Sequence, residues 1–133
     1  MGRSGYLIDS NALIDFLGGR LPDTGQEFLS HVIDNVPMVS VISKIEVLGY
    51  NGTAHEEQIL KSFINDSEVL NLSEEIVASC IQIRKAHRIK LPDALIAATA
   101  NVQDLILITR NISDFDIVEG LDLINPHKVK KSV

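Results

Sequence analysis

Short apolar runs alternate along the chain with longer stretches in which apolar residues recur at helical spacing. The run at 105–109, Leu-Ile-Leu-Ile-Thr, is continuous, as is typical of a strand in a parallel sheet that is covered on both faces. We predict strands at 5–8, 37–41, 68–72, 105–109 and 121–124. Because helical patterns separate them, we expect an α/β fold, with a central, mostly parallel sheet in a three-layer α/β/α sandwich.

Polar residues that can cap a helix stand before most of the helical patterns. We predict helices, in chain order, at 12–17 after Ser10 or Asn11, at 23–35, from the cap Ser43 to Gly49, at 53–65 from a capping box, and after the cap Ser73.

The segment 90–100, Lys-Leu-Pro-Asp-Ala-Leu-Ile-Ala-Ala-Thr-Ala, predicts a helix that is apolar almost all the way round. Pro92 suits the first helical position, and Asp93 follows in the first turn, where a negative charge meets the positive end of the helix dipole. No charged residue follows until Asp104, which predicts a buried helix. We therefore expect Asp93 at the rim of the core, either as a helix-end charge or as part of a site.

Composition narrows the classes of protein that fit. The chain has 133 residues, 45% of them hydrophobic and 23% charged, which fits one globular domain over 1–133. The net charge of −6 argues against binding nucleic acid by overall charge, although a local basic patch is compatible with it. The sequence has one cysteine and no pattern of a signal peptide or membrane span, so we expect a cytoplasmic protein.

Acidic residues lie where predicted elements end or begin. Asp9 follows the first strand, Glu46 lies on the helix after the second, Asp93 begins the apolar helix, and Asp114 lies in a turn beyond the strand at 105–109. Taken singly, each is explained as a helix-flanking, helix-end or turn residue. Together they are expected at one edge of the sheet, where they would repel each other unless a divalent cation neutralised them. Oxygen ligands without clustered His or Cys favour Mg²⁺ or Mn²⁺ over zinc.

Four segments stand out by their order and spacing. They are Tyr-Leu-Ile-Asp-Ser-Asn at 6–11, Ile-Ser-Lys-Ile-Glu-Val-Leu-Gly-Tyr at 42–50, Leu-Pro-Asp-Ala-Leu-Ile-Ala-Ala-Thr-Ala at 91–100, and Leu-Ile-Thr-Arg-Asn at 107–111 with Asp-Phe at 114–115. Together they resemble the successive motifs of PIN domains. The most similar group is the small VapC-like toxins of prokaryotic toxin–antitoxin pairs, and the resemblance runs from about residue 6 to residue 126.

The resemblance implies a PIN-like fold and a Mg²⁺- or Mn²⁺-dependent ribonuclease. Its implied catalytic residues, which are also the metal ligands, are Asp9, Glu46, Asp93 and a fourth acid. Many relatives carry Asp at the position of Asn111, whereas others have Asn there and an Asp before Phe, so the fourth role falls to Asp114. This departure leaves open whether one or two ions bind.

The resemblance also implies roles for neighbouring residues and for partners. Asn11, Thr109 and Asn111 match polar positions that support the site. Arg110 and Lys90 are candidates for contact with RNA, although Lys90 fits a solvated surface residue equally well. The implied partners are an RNA substrate, a small cognate antitoxin and a second copy of the chain in a homodimer.

Two other functions stay open. A PIN fold without catalysis would serve as a binding module, which Asn111 favours and the intact Asp9, Glu46 and Asp93 oppose. A receiver-like signalling domain has a similar length and fold type. It needs an acidic pair after the first strand and a lysine after the last core strand, where this chain has Ser-Asn and Arg110.

Overall fold

Five strands form one sheet at the centre of the computed structural model, which describes residues 5–131. The strands are β1 (Gly5–Ile8), β2 (Met38–Ser40), β3 (Glu68–Leu70), β4 (Leu105–Ile108) and β5 (Leu123–Ile124). They lie in the order β3-β2-β1-β4-β5, and each neighbouring pair is parallel. The predicted parallel α/β fold is thus confirmed. The ends of the predicted domain, residues 1–4 and 132–133, lie outside the described residues.

Helices connect these strands and cover both faces of the sheet. They are α1 (Ser10–Leu17), α2 (Asp23–Asp34), α3 (Val41–Leu48), α4 (Ala54–Asn65), α5 (Glu74–Ala86), α6 (Leu91–Val102) and α7 (Ile112–Phe115), with a 3₁₀ turn at Pro126–Lys128. Within residues 5–131, every helix is too short or too polar to cross a membrane.

Successive side chains of the two central strands point to opposite faces of the sheet, as the pleat requires. Leu7 and Leu107 pack into a core with α5, α6 and α7, whereas Ile8 and Ile108 pack into a second core with α1 to α4. The sheet is therefore enclosed between two helical layers, which is the predicted three-layer α/β/α sandwich. All four side chains are fully buried, so the central strands hold the residues directly after them, Asp9 and Thr109, in fixed positions.

The structure corrects two predicted helix caps. Asp9, not Ser10 or Asn11, caps α1, and Ser40, not Ser43, caps α3. At both junctions the chain passes from strand to helix without a loop. The last residue with extended backbone geometry, with ψ of 153° at Asp9 and 150° at Ser40, is therefore already the cap. Ser43 lies inside α3 and is fully buried.

Other local predictions came out as expected or with shifted ends. Thr53 and Glu56 form the capping box of α4, and Ser73 caps α5. The apolar helix is α6, with Pro92 in its second position, because the helix begins at Leu91. The strands predicted at 37–41, 68–72, 105–109 and 121–124 are shorter than their apolar runs. Where a turn was expected at 113–114, the chain forms the one-turn helix α7, which is too short to leave a periodic pattern.

Candidate functional site

The site begins where the two central strands end side by side. Ile8 pairs with Ile108 across β1 and β4, so the next residues, Asp9 and Thr109, emerge together at the carboxyl ends of the strands. The Thr109 hydroxyl donates to Asp9 Oδ2 at 2.8 Å. From β1 the strand order continues to β2 on one side and to β4 on the other. This is the switch point at which open parallel sheets bind ligands.

Asp9 is the buried centre of the site, with 3% of its surface exposed. Its Oδ1 accepts from the Ser10 N–H at 2.9 Å, and its Oδ2 also accepts from Asn11 Nδ2 at 3.0 Å. Burial raises the pKa of Asp9 above its ordinary 3.8; the charge of Glu46 adds to the rise, and the hydrogen bonds from Thr109, Ser10 and Asn11 oppose it. Fixed neutral donors thus orient the buried Asp9 carboxylate.

Glu46 approaches Asp9 from α3. This helix follows β2 directly, and β2 lies beside β1 on the side away from β4. Ser10 Oγ donates to Glu46 Oε1 at 3.0 Å, so the residue after Asp9 in the chain also holds Glu46. Glu46 is exposed, which places its carboxylate at the solvent-facing mouth of the site.

Asp93 lies half-buried in the first turn of α6, as predicted. Burial raises the pKa of Asp93 above 3.8, the negative charges of Asp114 and then Asp9 raise it further, and Lys90 lowers it. Asp114 is exposed on α7. Because Asp93 responds to the charges of both Asp114 and Asp9, and Asp9 responds to Glu46, the structure brings all four predicted acids into one electrostatic cluster.

The supporting polar residues tie the chain after β4 to the chain after β1. Asn11, which donates to Asp9, accepts from the Arg110 N–H at 3.0 Å through its Oδ1. Thr109 accepts from the Asn111 N–H at 3.1 Å through the same hydroxyl that donates to Asp9. The backbone at 109–111 therefore has a fixed position relative to Asp9, although the two are far apart in sequence.

The donor set suits a hard divalent cation, because it consists of carboxylate, amide and hydroxyl oxygens. Asp9 and Asp93 both have raised pKa values, to which neighbouring carboxylates contribute, and a shared cation would reverse that contribution. Among residues 5–131, no three His, Cys, Asp or Glu side chains are grouped closely enough to hold a metal ion.

Sequence reasoning missed the residues that hold Arg110. Its Nη1 lies 3.1 Å from Asp15 Oδ2, and His127 Nε2 lies 2.8 Å from the same oxygen. Asp15 is 5% exposed, while the Arg110 side chain is half-exposed. One sequence signal pointed to Asp15: it is the one acid within the otherwise apolar helical pattern at 12–17. Ser10, which holds Glu46, was likewise missed as a site residue.

Strand order separates this sheet from that of a receiver domain. Doubly wound folds of the receiver type have the order 2-1-3-4-5, whereas the order here is β3-β2-β1-β4-β5. The receiver-like alternative therefore fails on topology as well as on the residues after β1 and β4.

Known proteins are similar to this protein over most of its chain. A family model described as a PIN domain matches residues 6–121. Ribonuclease VapC10 of Mycobacterium tuberculosis is 34% identical over 120 residues, and the match covers 86% of this chain and 89% of that protein. The segment matched by the family model contains the strand ends and helices that carry the four acids.

Solved structures give the same result for the fold. A toxin–antitoxin complex from Klebsiella pneumoniae contains a chain that is 31% identical, with a TM-score of 0.73, covering 95% of this chain and all of that one. FitAcB from Neisseria gonorrhoeae has a TM-score of 0.78 at 22% identity and covers 93% of this chain and 99% of that chain, which supports the fold alone.

Proposed function

The chain belongs to the PIN-domain family, and on that basis we propose that it is a metal-dependent ribonuclease that acts as the toxin of a toxin–antitoxin pair. The observation that carries the proposal is the convergence of four carboxylates, from Asp9, Glu46, Asp93 and Asp114, at the switch point of the sheet. Similarity to a ribonuclease over most of the chain supports it.

In this proposal Asp9 and Asp93 are the principal ligands of Mg²⁺ or Mn²⁺, and Glu46 and Asp114 complete the site. When bound, such an ion lowers the pKa of water and stabilises negative charge on a phosphodiester during hydrolysis. The chain's own contribution is orientation: Thr109 and Asn11 fix the Asp9 carboxylate.

Ser10 fixes Glu46 in the same way. Asp15 holds the half-exposed Arg110 guanidinium beside the site, from which it can reach an RNA phosphate. The exposed Lys90 is the N-cap residue of α6, and its charge acts on Asp93. The site therefore combines a fixed acidic centre with cations at its edges, as binding and cleavage of a polyanion require.

The family also supplies the proposed partners. Toxin–antitoxin complexes are among the similar structures, so we expect a small antitoxin that binds this chain and blocks the site, and we expect the chain to act in the cytoplasm as a homodimer. Light scattering of the purified chain tests the dimer. Growth arrest of a bacterial host on induction of the wild type, but not of the Asp93→Asn variant, tests the toxin role.

The central experiment measures cleavage of a mixed single-stranded RNA by the wild type and by Asp93→Asn. Each is assayed with Mg²⁺, with Mn²⁺ and with EDTA. We expect cleavage only with a divalent ion and a loss of at least about 100-fold in the variant, because it removes a ligand charge. Glu119→Gln, a change at an exposed acid, is the control and should cut like the wild type.

A second set of variants tests the fourth acid. Asp114 and Asp116 are both exposed and lie two residues apart, so Asp114→Asn and Asp116→Asn are matched. We expect only Asp114→Asn to lower cleavage, whereas Asn111→Asp restores the acid that many relatives carry and should preserve or raise it. Equal losses at 114 and 116 would contradict the assignment of Asp114.

Asn111 favours one alternative function, in which the PIN fold serves only as a binding module. Such a module would neither cut RNA nor bind a divalent ion, and Asp93→Asn would leave its binding function unchanged. Calorimetric titration of the wild type with Mn²⁺ separates the two: saturable binding that Asp93→Asn weakens supports the nuclease, and no binding supports the module.

A further inference from the structure

A basic cleft opens where α5 turns into α6. It has a volume of about 560 Å³ and is lined by Arg84, His87, Arg88, Ile89 and Lys90. Four of the chain's 12 Lys and Arg residues lie within 84–90 when Lys85 is included, and no acidic residue occurs between Glu75 and Asp93. In a chain whose net charge is −6, this is a strong local concentration of positive charge.

The cations of the basic cleft are free to bind a ligand. Arg84, Arg88 and Lys90 are exposed, and within residues 5–131 the ion pairs of the structure involve other residues. A surface cation without an ion-pair partner does not have to break an existing ion pair before it forms a charge-assisted hydrogen bond with a phosphate oxygen.

The backbone that carries these cations is firmly held. The His87 N–H donates to the Ile83 carbonyl at 3.0 Å at the end of α5, and the Ala94 N–H donates to the Lys90 carbonyl at 2.9 Å at the start of α6. Ile89 packs against the core between them. Residues 87–90 thus form a short connection between two packed helices, with an apolar anchor inside and cations outside.

The basic cleft adjoins the acidic cluster. Lys90 is the N-cap residue of α6, and Asp93 lies in the first turn of the same helix. The positive charge of Lys90 acts on Asp93, so one end of the cleft lies within electrostatic range of the proposed reaction centre.

A purely structural role explains only part of this cluster. Arg84 and Lys85 lie in the last turn of α5, where cations interact favourably with the negative end of the helix dipole. Arg88 and Lys90 lie beyond that helix, and Lys90 stands at the positive end of α6, where a cation is unfavourable. An anionic ligand would stabilise the positive charges of Arg88 and Lys90, which the helix dipoles do not.

We propose that the basic cleft binds the phosphodiester backbone of single-stranded RNA and leads it to the acidic cluster, with Arg88 and Lys90 as the principal phosphate contacts. This inference rests on the proposed ribonuclease function and extends it by naming the path of the substrate. It also accounts for how a chain of negative net charge holds a polyanion: recognition is local, and the acids at the centre are flanked by cations.

The test measures binding of a labelled single-stranded RNA in EDTA, by fluorescence anisotropy, at several salt concentrations. All proteins carry Asp93→Asn, so that the RNA stays intact. Arg88→Ala with Lys90→Ala should raise the Kd about 5- to 20-fold at low salt, and the slope of log K against log salt should become shallower by about 1.4, because each single-strand phosphate contact contributes about 0.7.

A charge-matched control and a rescue variant exclude loss of folding or of general charge. Lys61→Ala with Lys130→Ala removes two exposed cations elsewhere and should leave Kd and slope unchanged. Arg88→Lys keeps the charge and should bind nearly like the parent. An unchanged Kd and slope in the Arg88/Lys90 variant, or an equal loss in the control pair, would overturn the proposal.

Cleavage assays with the native Asp93 distinguish this proposal from the one on which it rests. If the chain cuts RNA but the Arg88/Lys90 change affects neither KM nor RNA binding, the path is wrong and the nuclease stands. If RNA binding depends on the cleft but no divalent ion supports cleavage, the nuclease is wrong and the cleft stands. Tighter binding of poly-glutamate than of RNA of equal charge would assign the cleft to an acidic protein and overturn the proposal.

Discussion

Asp93→Asn should stabilise the metal-free protein, although it removes a charge that a helix N-terminus favours. The ionised carboxylate of Asp93 is partly desolvated and faces the charges of Asp114 and Asp9, and these effects raise its pKa above 3.8. Against them stand the attraction of Lys90 and the dipole of α6, which stabilises an acid in its first turn by about 0.3–1 kcal/mol.

The magnitudes decide the sign. Two unit charges about 7 Å apart interact by about 0.6 kcal/mol in water and by about 2.4 kcal/mol at the effective dielectric of a protein surface. Because Asp93 is only half-buried, we use values near the lower limit. Two repulsions of about 0.6 kcal/mol each and an assumed desolvation cost of about 1 kcal/mol then oppose about 1–1.5 kcal/mol from Lys90 and the dipole. The expected gain is about 1 kcal/mol, or about 3–5 °C in Tm for a chain of this length.

The pH dependence follows from linkage. Since the pKa of Asp93 is higher in the folded protein than its ordinary 3.8, the folded state binds more protons in the window above 3.8, and stability falls as pH rises through that window. The advantage of Asp93→Asn should therefore be larger at neutral pH and should shrink as pH falls towards 3.8, because protonation of the folded carboxyl removes its charge.

The assay is thermal unfolding followed by circular dichroism, in EDTA and in Mg²⁺, with Glu119→Gln as the control for a change at an exposed acid. Saturating Mg²⁺ at about 100 times its Kd should stabilise the wild type by about 2.7 kcal/mol and Asp93→Asn much less. A lower Tm of Asp93→Asn in EDTA, or equal Mg²⁺ shifts in both proteins, would refute the reasoning, because either result means that the carboxylates do not share a site.

Three further perturbations probe the groups around this centre. Thr109→Val should lower the free energy of unfolding by about 1–3 kcal/mol in urea titrations, because buried Asp9 loses a donor, and Thr109→Ser should lose far less; equal losses would contradict the role of the hydroxyl. Asp15→Asn should cost about 1–2 kcal/mol by weakening the contacts to Arg110 and His127, and a double-mutant cycle with His127→Ala should return a coupling energy above about 0.5 kcal/mol. Burial raises the pKa of Asp9, so the Tm of the metal-free wild type should fall as pH rises above 3.8, and Asp9→Asn should show a smaller fall. Parallel curves of Tm against pH for the two proteins would contradict the raised pKa of Asp9.

The fold was predictable from sequence wherever one local pattern determines one element. The apolar run at 105–109 is long enough and apolar enough to require burial on both faces, and the acid-free stretch of α6 requires a buried helix. Asp9 was placed at the edge of the sheet by the rule for parallel strands alone. The helix caps predicted at the ends of β1 and β2 were wrong. No loop separates strand from helix there, so Asp9 and Ser40 are the caps.

The contacts that fix the candidate site were not predictable, because they join residues far apart in sequence. The pairing of Ser10 with Glu46 depends on the adjacency of β1 and β2, and that of Asp15 with Arg110 on the adjacency of β1 and β4. Strand order is a property of the whole chain, and hydrophobic pattern leaves it open. Carboxylates can be recognised in a sequence as candidate metal ligands, whereas a serine that donates a hydrogen bond to one of them cannot be recognised as part of the site.

The structure gives the displaced fourth acid a specific partner. After burial, the charge of Asp114 is the largest influence on the pKa of Asp93, ahead of Asp9, whereas the charge that acts on Asp9 is that of Glu46. Because Asp9 also acts on Asp93, the four acids remain one connected cluster. A two-ion site would use Glu46 and Asp114 as ligands of different ions, whereas a one-ion site would use both for the same ion. If two ions bind, Glu46→Gln and Asp114→Asn should each abolish a different one in calorimetric titrations; if one binds, both variants should weaken the same ion.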